Sequence, residues 1–214
     1  MSKKVSVKKI KKKPKAEVRE EKKQKVLKII IGIFMAFIMT SGILGYVNNR
    51  LNPNVVKDHG LRFYRSQDNL YWITRINNKQ QKFFFLPKQL EQINVSPLVK
   101  PRVLGTKLVL FTFNPKQDQQ VLTYMDLLRL DVGQVLYEKG IITRSGITVK
   151  DDRYKDFPII TCANSSQPIP VIYLNLGNKT EIYLNDTCIV AEASSPYEIL
   201  ALRDKLLYLV YDVI

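Results

Sequence analysis

Residues 29–47 (IIIGIFMAFIMTSGILGYV) carry no charge. At about 1.5 Å per helical residue the run reaches roughly 28 Å, close to the hydrocarbon thickness of a bilayer. Thr40 and Ser41 can bond back to helix carbonyls, and Gly32, Gly42 and Gly45 are tolerated inside membrane helices. A soluble helix of this length would show a polar face, and this run has none. A secretory signal peptide has a shorter apolar core and a small-x-small cleavage site. Here the apolar run is followed by Gly45-Tyr46-Val47-Asn48-Asn49, which is a poor site. The expectation is an uncleaved transmembrane helix over residues 29–47.

That helix would divide the chain into a basic cytoplasmic tail (1–28), a linker (48–60) and an extracytoplasmic domain (61–214). Charge is distributed accordingly. The formal net charge is +15, and residues 1–28 hold 13 Lys/Arg against Glu17, Glu20 and Glu21. Residues 57–88 hold seven basic groups against Asp58 and Asp68, whereas 89–214 is close to neutral. Lysines are retained on the cytoplasmic side of a span, so the N-terminus is placed inside and the domain outside. The localisation expected is the cell membrane, single-pass. The tail is expected near anionic lipid head groups, where each Lys/Arg is worth about 1 kcal/mol. The high overall charge belongs to the tail and the first part of the domain, so it does not mark a nucleic-acid fold.

Two features agree with an oxidising compartment. The only cysteines, Cys162 and Cys188, both lie in the C-terminal part and are expected to form a disulfide. Glycosylation sequons begin at Asn164, Asn178 and Asn185, while a fourth at Asn94 is weakened by Pro97.

The domain reads as α+β with a mixed sheet, a long middle helix and a C-terminal helix. Residues 61–66, 70–76 and 80–86 form a three-strand meander, turned at Asn77-Asn78 by residues that accept φ > 0. Its aromatic and basic residues could present a stacking platform, although core packing explains such aromatics more simply. A helical turn at 87–93, a loop at 96–101 and a buried strand at 104–113 follow. Asn114 as N-cap and Pro115 open a helix over 117–139, with Val121, Met125, Leu128, Val132 and Val135 on one face. Gly140 ends it, and 141–157 reads as a charged loop. Asp151, Asp152 and Asp156 do not match the ligand order of a calcium loop. Strands follow at 158–162, 169–176, 179–185 and 188–191, with a turn at Gly177-Asn178. The 104–113 and 158–162 strands, joined through the helix, imply a parallel crossover. A capping box at Ser195-Pro196-Tyr197-Glu198 opens a last helix reaching Val210.

The C-terminal quarter resembles a group of uncharacterised archaeal single-span proteins. The shared pattern comprises Pro158-Ile159-Ile160-Thr161-Cys162, Pro170-Val171-Ile172-Tyr173, Cys188-Ile189-Val190-Ala191 and Arg203-Asp204-Lys205-Leu206-Leu207-Tyr208. Ile169–Tyr173, a hairpin with Gly177 and the closing helix are also similar to the C-terminal half of thioredoxin-like domains. That likeness lacks the paired Cys-x-x-Cys. The first resemblance implies no activity, and the second implies a thioredoxin-type dithiol reaction that would have to proceed without that motif.

The lone His59 supports neither a histidine metal site nor a two-histidine base. No Gly-rich phosphate loop and no nucleophile motif is present, and no cofactor or metal is expected. The reading is a membrane-anchored extracytoplasmic accessory or interaction protein without catalytic activity. A protein partner is expected and nucleic acid is not. The alternatives are a thiol-disulfide oxidoreductase using Cys162 or Cys188, and a glycan- or lipid-binding module.

Overall fold

The computed structural model describes residues 25–41 and 55–214. By its contacts the chain divides into two units, Met1–Pro53 and Asn54–Ile214. In the first, residues 25–41 form helix α1, and apolar side chains such as Ile33, Phe37 and Met39 are exposed along it. Thr40 and Ser41 bond back to the carbonyls of Ala36 and Phe37. Among the described residues no helix is long and apolar enough to cross a membrane. This corrects the expected span. Lys25 and Lys28 occupy the first turn of α1, and residues 29–41 extend only roughly 20 Å at helical rise. Residues 42–47 of that expected span, the tail up to residue 24 and linker positions 48–54 lie outside the described residues.

The second unit is α+β with two sheets. The first sheet is an antiparallel meander, β1 (Val55–Asp58), β2 (Leu61–Arg65), β3 (Trp72–Ile76) and β4 (Lys79–Phe83), in that order. Two tight hairpins set its register. His59 and Gly60 (φ 44° and 76°) join β1 to β2, while Asn77 and Asn78 (φ 51° and 62°) join β3 to β4. Both loops use residues that enter the left-handed region at low cost. Strand β1 occupies positions read from sequence as linker.

A 3-10 turn (Pro87–Leu90), β5 (Asn94–Val95) and helix α2 (Val99–Leu104) lead into β6 (Leu108–Phe113). Helix α3 (Gln119–Glu138) starts later than its sequence signal, because Asn114 Oδ1 accepts from Lys116 N and caps a turn instead. Its apolar face is the expected one, with Val121, Met125, Leu128 and Val132 buried. The chain then forms β7 (Ile142–Ile147), parallel to β6 along its whole length. The parallel crossover therefore closes on β7 within the expected charged loop. Residues 158–162 form no named strand, only an Ile147–Ile159 bridge, and Cys162 begins a 3-10 turn.

Strands β8 (Val171–Leu176), β9 (Glu181–Asn185) and β10 (Cys188–Ala193) complete a mixed six-stranded sheet ordered β5-β9-β10-β8-β6-β7. Gly177 does not turn a hairpin between neighbours, since β10 lies between β8 and β9 and runs parallel to β8. The hairpin is instead β9–β10, turned at Asp186 (φ 53°).

Helix α4 (Glu198–Tyr211) is buried on all sides, which its near-continuous apolar sequence requires. Tyr208 stacks on Phe83 at 4.1 Å between centroids, and Phe63 meets both rings edge-on. The opposite side of α4 packs on β10. The core thus joins the inner face of the meander, through α4, to Val109, Phe111, Phe113, Ile172 and Ile189 of the large sheet.

Candidate functional site

The cysteines come together as expected. Their Sγ atoms lie 2.01 Å apart, a disulfide distance, and their Cα atoms 5.3 Å apart. Cys188 is 1 % exposed and Cys162 half-buried, packed with Ile160, Val171, Leu110 and Tyr173 on the sheet face away from α4. Ser165 Oγ donates to the Thr187 carbonyl and Thr187 Oγ1 donates to the Ser165 carbonyl, so two hydrogen bonds run alongside the bridge. A thiol-exchange enzyme needs an accessible thiolate; here Cys188 is buried and Cys162 half-buried. Asn164, Asn178 and Asn185 are all exposed. Asn164 also accepts the Thr161 N–H through its side chain, and Asn178 follows β8 in a turn.

The open face of the meander gathers basic side chains. Strand alternation sends Phe63, Thr74, Ile76 and Phe83 inward, which leaves Lys57, Arg62, Tyr64, Ile73, Arg75 and Lys82 on the other face. Lys57 stands directly opposite Arg62, and Tyr64 opposite Ile73, which in turn faces Lys82. The same register carries Arg62 to the level of Arg75. Like charges directly opposed across a sheet are destabilising. Among the described residues none of these four cations forms an ion pair. A depression of about 500 Å³ lies on this face, lined by Arg62, Tyr64, Ile73, Arg75 and Gln80.

At the edge of the same sheet, α4 supplies partners for the backbone around β4. Arg203 donates from Nη1 to the Lys82 carbonyl at 3.1 Å. Asp204 accepts from Phe84 N at 2.6 Å and Phe85 N at 2.8 Å, and Tyr208 donates its hydroxyl to the Phe85 carbonyl. Arg203 also pairs with Asp204 and, at 2.6 Å, with Asp131 of α3. Burial pushes the Asp204 carboxyl up to about 6, against the opposing pull of Arg203 and the two N–H groups. Burial likewise raises the Tyr208 hydroxyl far above its ordinary value.

Beside this network lies a cleft of about 350 Å³ between β4, α3 and α4. Tyr71 and Phe84 form one wall with centroids 5.0 Å apart, and Tyr211 also lines the cleft. The cleft residues come from three distant stretches of chain, and no sequence motif links them. One signal was available: Arg203-Asp204-Lys205 is a charged run inside a largely apolar helix.

No family model, no curated protein and no solved structure matches this chain. The resemblances of the C-terminal quarter therefore rest on its residues alone.

Proposed function

We propose that residues 54–214 form a non-catalytic interaction module that works outside the cytoplasm, and that the open face of the meander docks an acidic surface of a partner protein. The observation that carries the reading is the row Lys57–Arg62–Arg75, three cations side by side on one sheet face with no ion pair among the described residues. Folding gains nothing from that juxtaposition, whereas an acidic partner would neutralise it. Tyr64, 42 % exposed, and Ile73 supply apolar contact at the centre of the patch. Aromatic and Arg side chains are the types that dominate interface energetics. Charge of one sign also speeds encounter in a salt-dependent way. The placement outside the cytoplasm is supported by the cysteine pair at disulfide distance, which an oxidising compartment would keep bridged. The lysine-rich segment 1–28 would contribute attraction to anionic lipid head groups.

The test is site-specific photocrosslinking in the native cell. A crosslinker at Tyr64 should give a discrete protein adduct that is absent when the crosslinker replaces Leu130, which is exposed on α3. The adduct should disappear in an Arg62→Glu/Arg75→Glu background. Equal labelling from both positions, or an adduct that survives charge reversal, would refute the reading.

A further inference from the structure

The large sheet has an outward face of its own, on the side away from α4. Leu174, Ile182, Ile189 and Ala191 belong to the core, so strand alternation turns their neighbours outward. On that face Glu192 of β10 stands directly opposite Glu181 of β9, with Asn175 of β8 on its other side. Two residues along the strands, Val190 lies between Tyr183 and Tyr173. Glu181, Glu192 and both tyrosines remain partly exposed. Like charges directly opposed across a sheet are destabilising. Among the described residues neither carboxylate forms an ion pair.

The basic face of the meander has the same two-row layout with the opposite charge. Its charged row is Lys57–Arg62–Arg75, and two residues along lies the apolar row Val55–Tyr64–Ile73. Strands in both sheets are about 4.8 Å apart, and rows on one face about 7 Å apart. One face can therefore be laid on the other with cations against carboxylates and apolar row against apolar row. Sheets packed face to face keep their strands aligned within about 30°, which preserves such a match. We propose, on the basis of the acidic-partner reading above, that the surface docked by the basic face is the outward face of the large sheet in a second copy of this chain. The meander packs on one side of α4 and β10 on the other, so the two faces point away from each other. One copy cannot bring its own faces together. The contact joins unlike faces of two copies and can repeat head to tail.

The test is photocrosslinking from position 64 of the full chain in the native cell, with the adduct identified by mass spectrometry. The expected adduct joins two copies of this chain through peptides of β8, β9 or β10. Glu181→Arg/Glu192→Arg should lower its yield at least roughly tenfold, as Arg62→Glu/Arg75→Glu should, because either variant sets like charges face to face. The variant carrying all four substitutions should recover the adduct, since both faces are then reversed together. That recovery also shows that the reversed faces fold. An adduct with a different protein overturns the proposal and leaves the acidic-partner reading standing. Absence of any discrete adduct removes both. A two-copy adduct overturns the proposal if it maps to the second copy's meander, survives Glu181→Arg/Glu192→Arg, or stays lost in the fourfold variant.

Discussion

Arg203 and Asp204 are consecutive, both buried, and both committed to a strand that lies about 120 residues earlier. The guanidinium takes the Lys82 carbonyl, and the carboxylate takes the Phe84 and Phe85 N–H groups. These groups lie along the free side of β4 and the chain that continues from it, where an unpaired strand edge invites other chains. Helix α4 thus closes the meander's edge with side chains. Asp204→Ala would orphan two N–H groups and leave Arg203 with Asp131 as its one carboxylate partner among the described residues. We expect a loss of about 3–5 kcal/mol near pH 4 that shrinks toward pH 8, read from urea unfolding. A loss below 1 kcal/mol would show that the carboxylate is dispensable there.

The same carboxyl sets a pH dependence. Burial raises it from 3.8 to about 6 in the folded protein, although Arg203 and the Phe84 and Phe85 N–H groups oppose the shift. The folded state then binds more protons than the unfolded state between those values. Its contribution is fully present below about pH 4 and is lost as pH rises through about 6. The two-unit difference corresponds to about 3 kcal/mol at most. Asp151 acts in the other direction, because Arg153 holds it at about 2, but its window lies below pH 4. Melting temperature should fall from pH 4 to pH 7 in the natural chain and change little in Asp204→Asn. A rise through that interval would contradict the assignment.

The cysteine pair closes a loop whose ends are 26 positions apart in sequence. In the chain-entropy model that is worth about 3.5 kcal/mol. Cys162→Ser and Cys188→Ser should each lower stability by a similar amount, and the double variant by no more than either single one. Reductant should act on the natural chain and not on the variants. Additive losses would instead indicate two independent buried thiols.

What the sequence made legible was local. The Asn77-Asn78 turn, the α3 stripe of Val121, Met125, Leu128 and Val132, and strands β8 to β10 all follow from periodicity and turn chemistry. Order within the sheet was not legible. Nothing near Gly177 records that β10 inserts between β8 and β9, because strand order depends on contacts between distant stretches of chain. Strand β7 (ITRSGI) hid behind Arg144, Ser145 and Gly146, whose alternation is weak, and β1 behind a stretch read as linker. His59-Gly60, a two-residue turn between Val55–Asp58 and Leu61–Arg65, was the overlooked signal. The apolar run failed differently: α1 is described only over 25–41, and among the described residues no helix is long and apolar enough to cross a membrane. The cleft could not be read at all, because Gln81, Gln134 and Tyr211 meet only through the tertiary fold.

Gly146 shows how closely the segment after β7 packs on the large sheet. A Cβ there would stand 2.6 Å from Ile160 Cδ1 and from the Pro158 carbonyl oxygen, and the latter is backbone. Ile147 N donates to that same Pro158 carbonyl, and Ile160 N to the Ile147 carbonyl. Gly146→Ala should therefore push the 158–160 segment away and cost about 1–3 kcal/mol. Proteolysis under native conditions should become faster within 148–161. Gly177→Ala is the matched control, because the atoms in its way belong to the flexible Glu192 side chain.

The basic face makes the opposite kind of prediction, in which stability and function separate. Lys57 and Arg62 are directly opposed, and the register continues to Arg75. Their mutual repulsion is a cost of folding, on the order of a few tenths of a kcal/mol per pair at low salt. Arg62→Glu would turn that repulsion into attraction on both sides and should raise stability by about 0.5 kcal/mol. The gain should shrink as salt is added. The same substitution should abolish the Tyr64 crosslink, since it places a negative charge in the middle of the docking surface. A surface kept only for solubility would show the gain in stability with no loss of the adduct. Loss of both stability and adduct would mean that Arg62 supports the sheet itself.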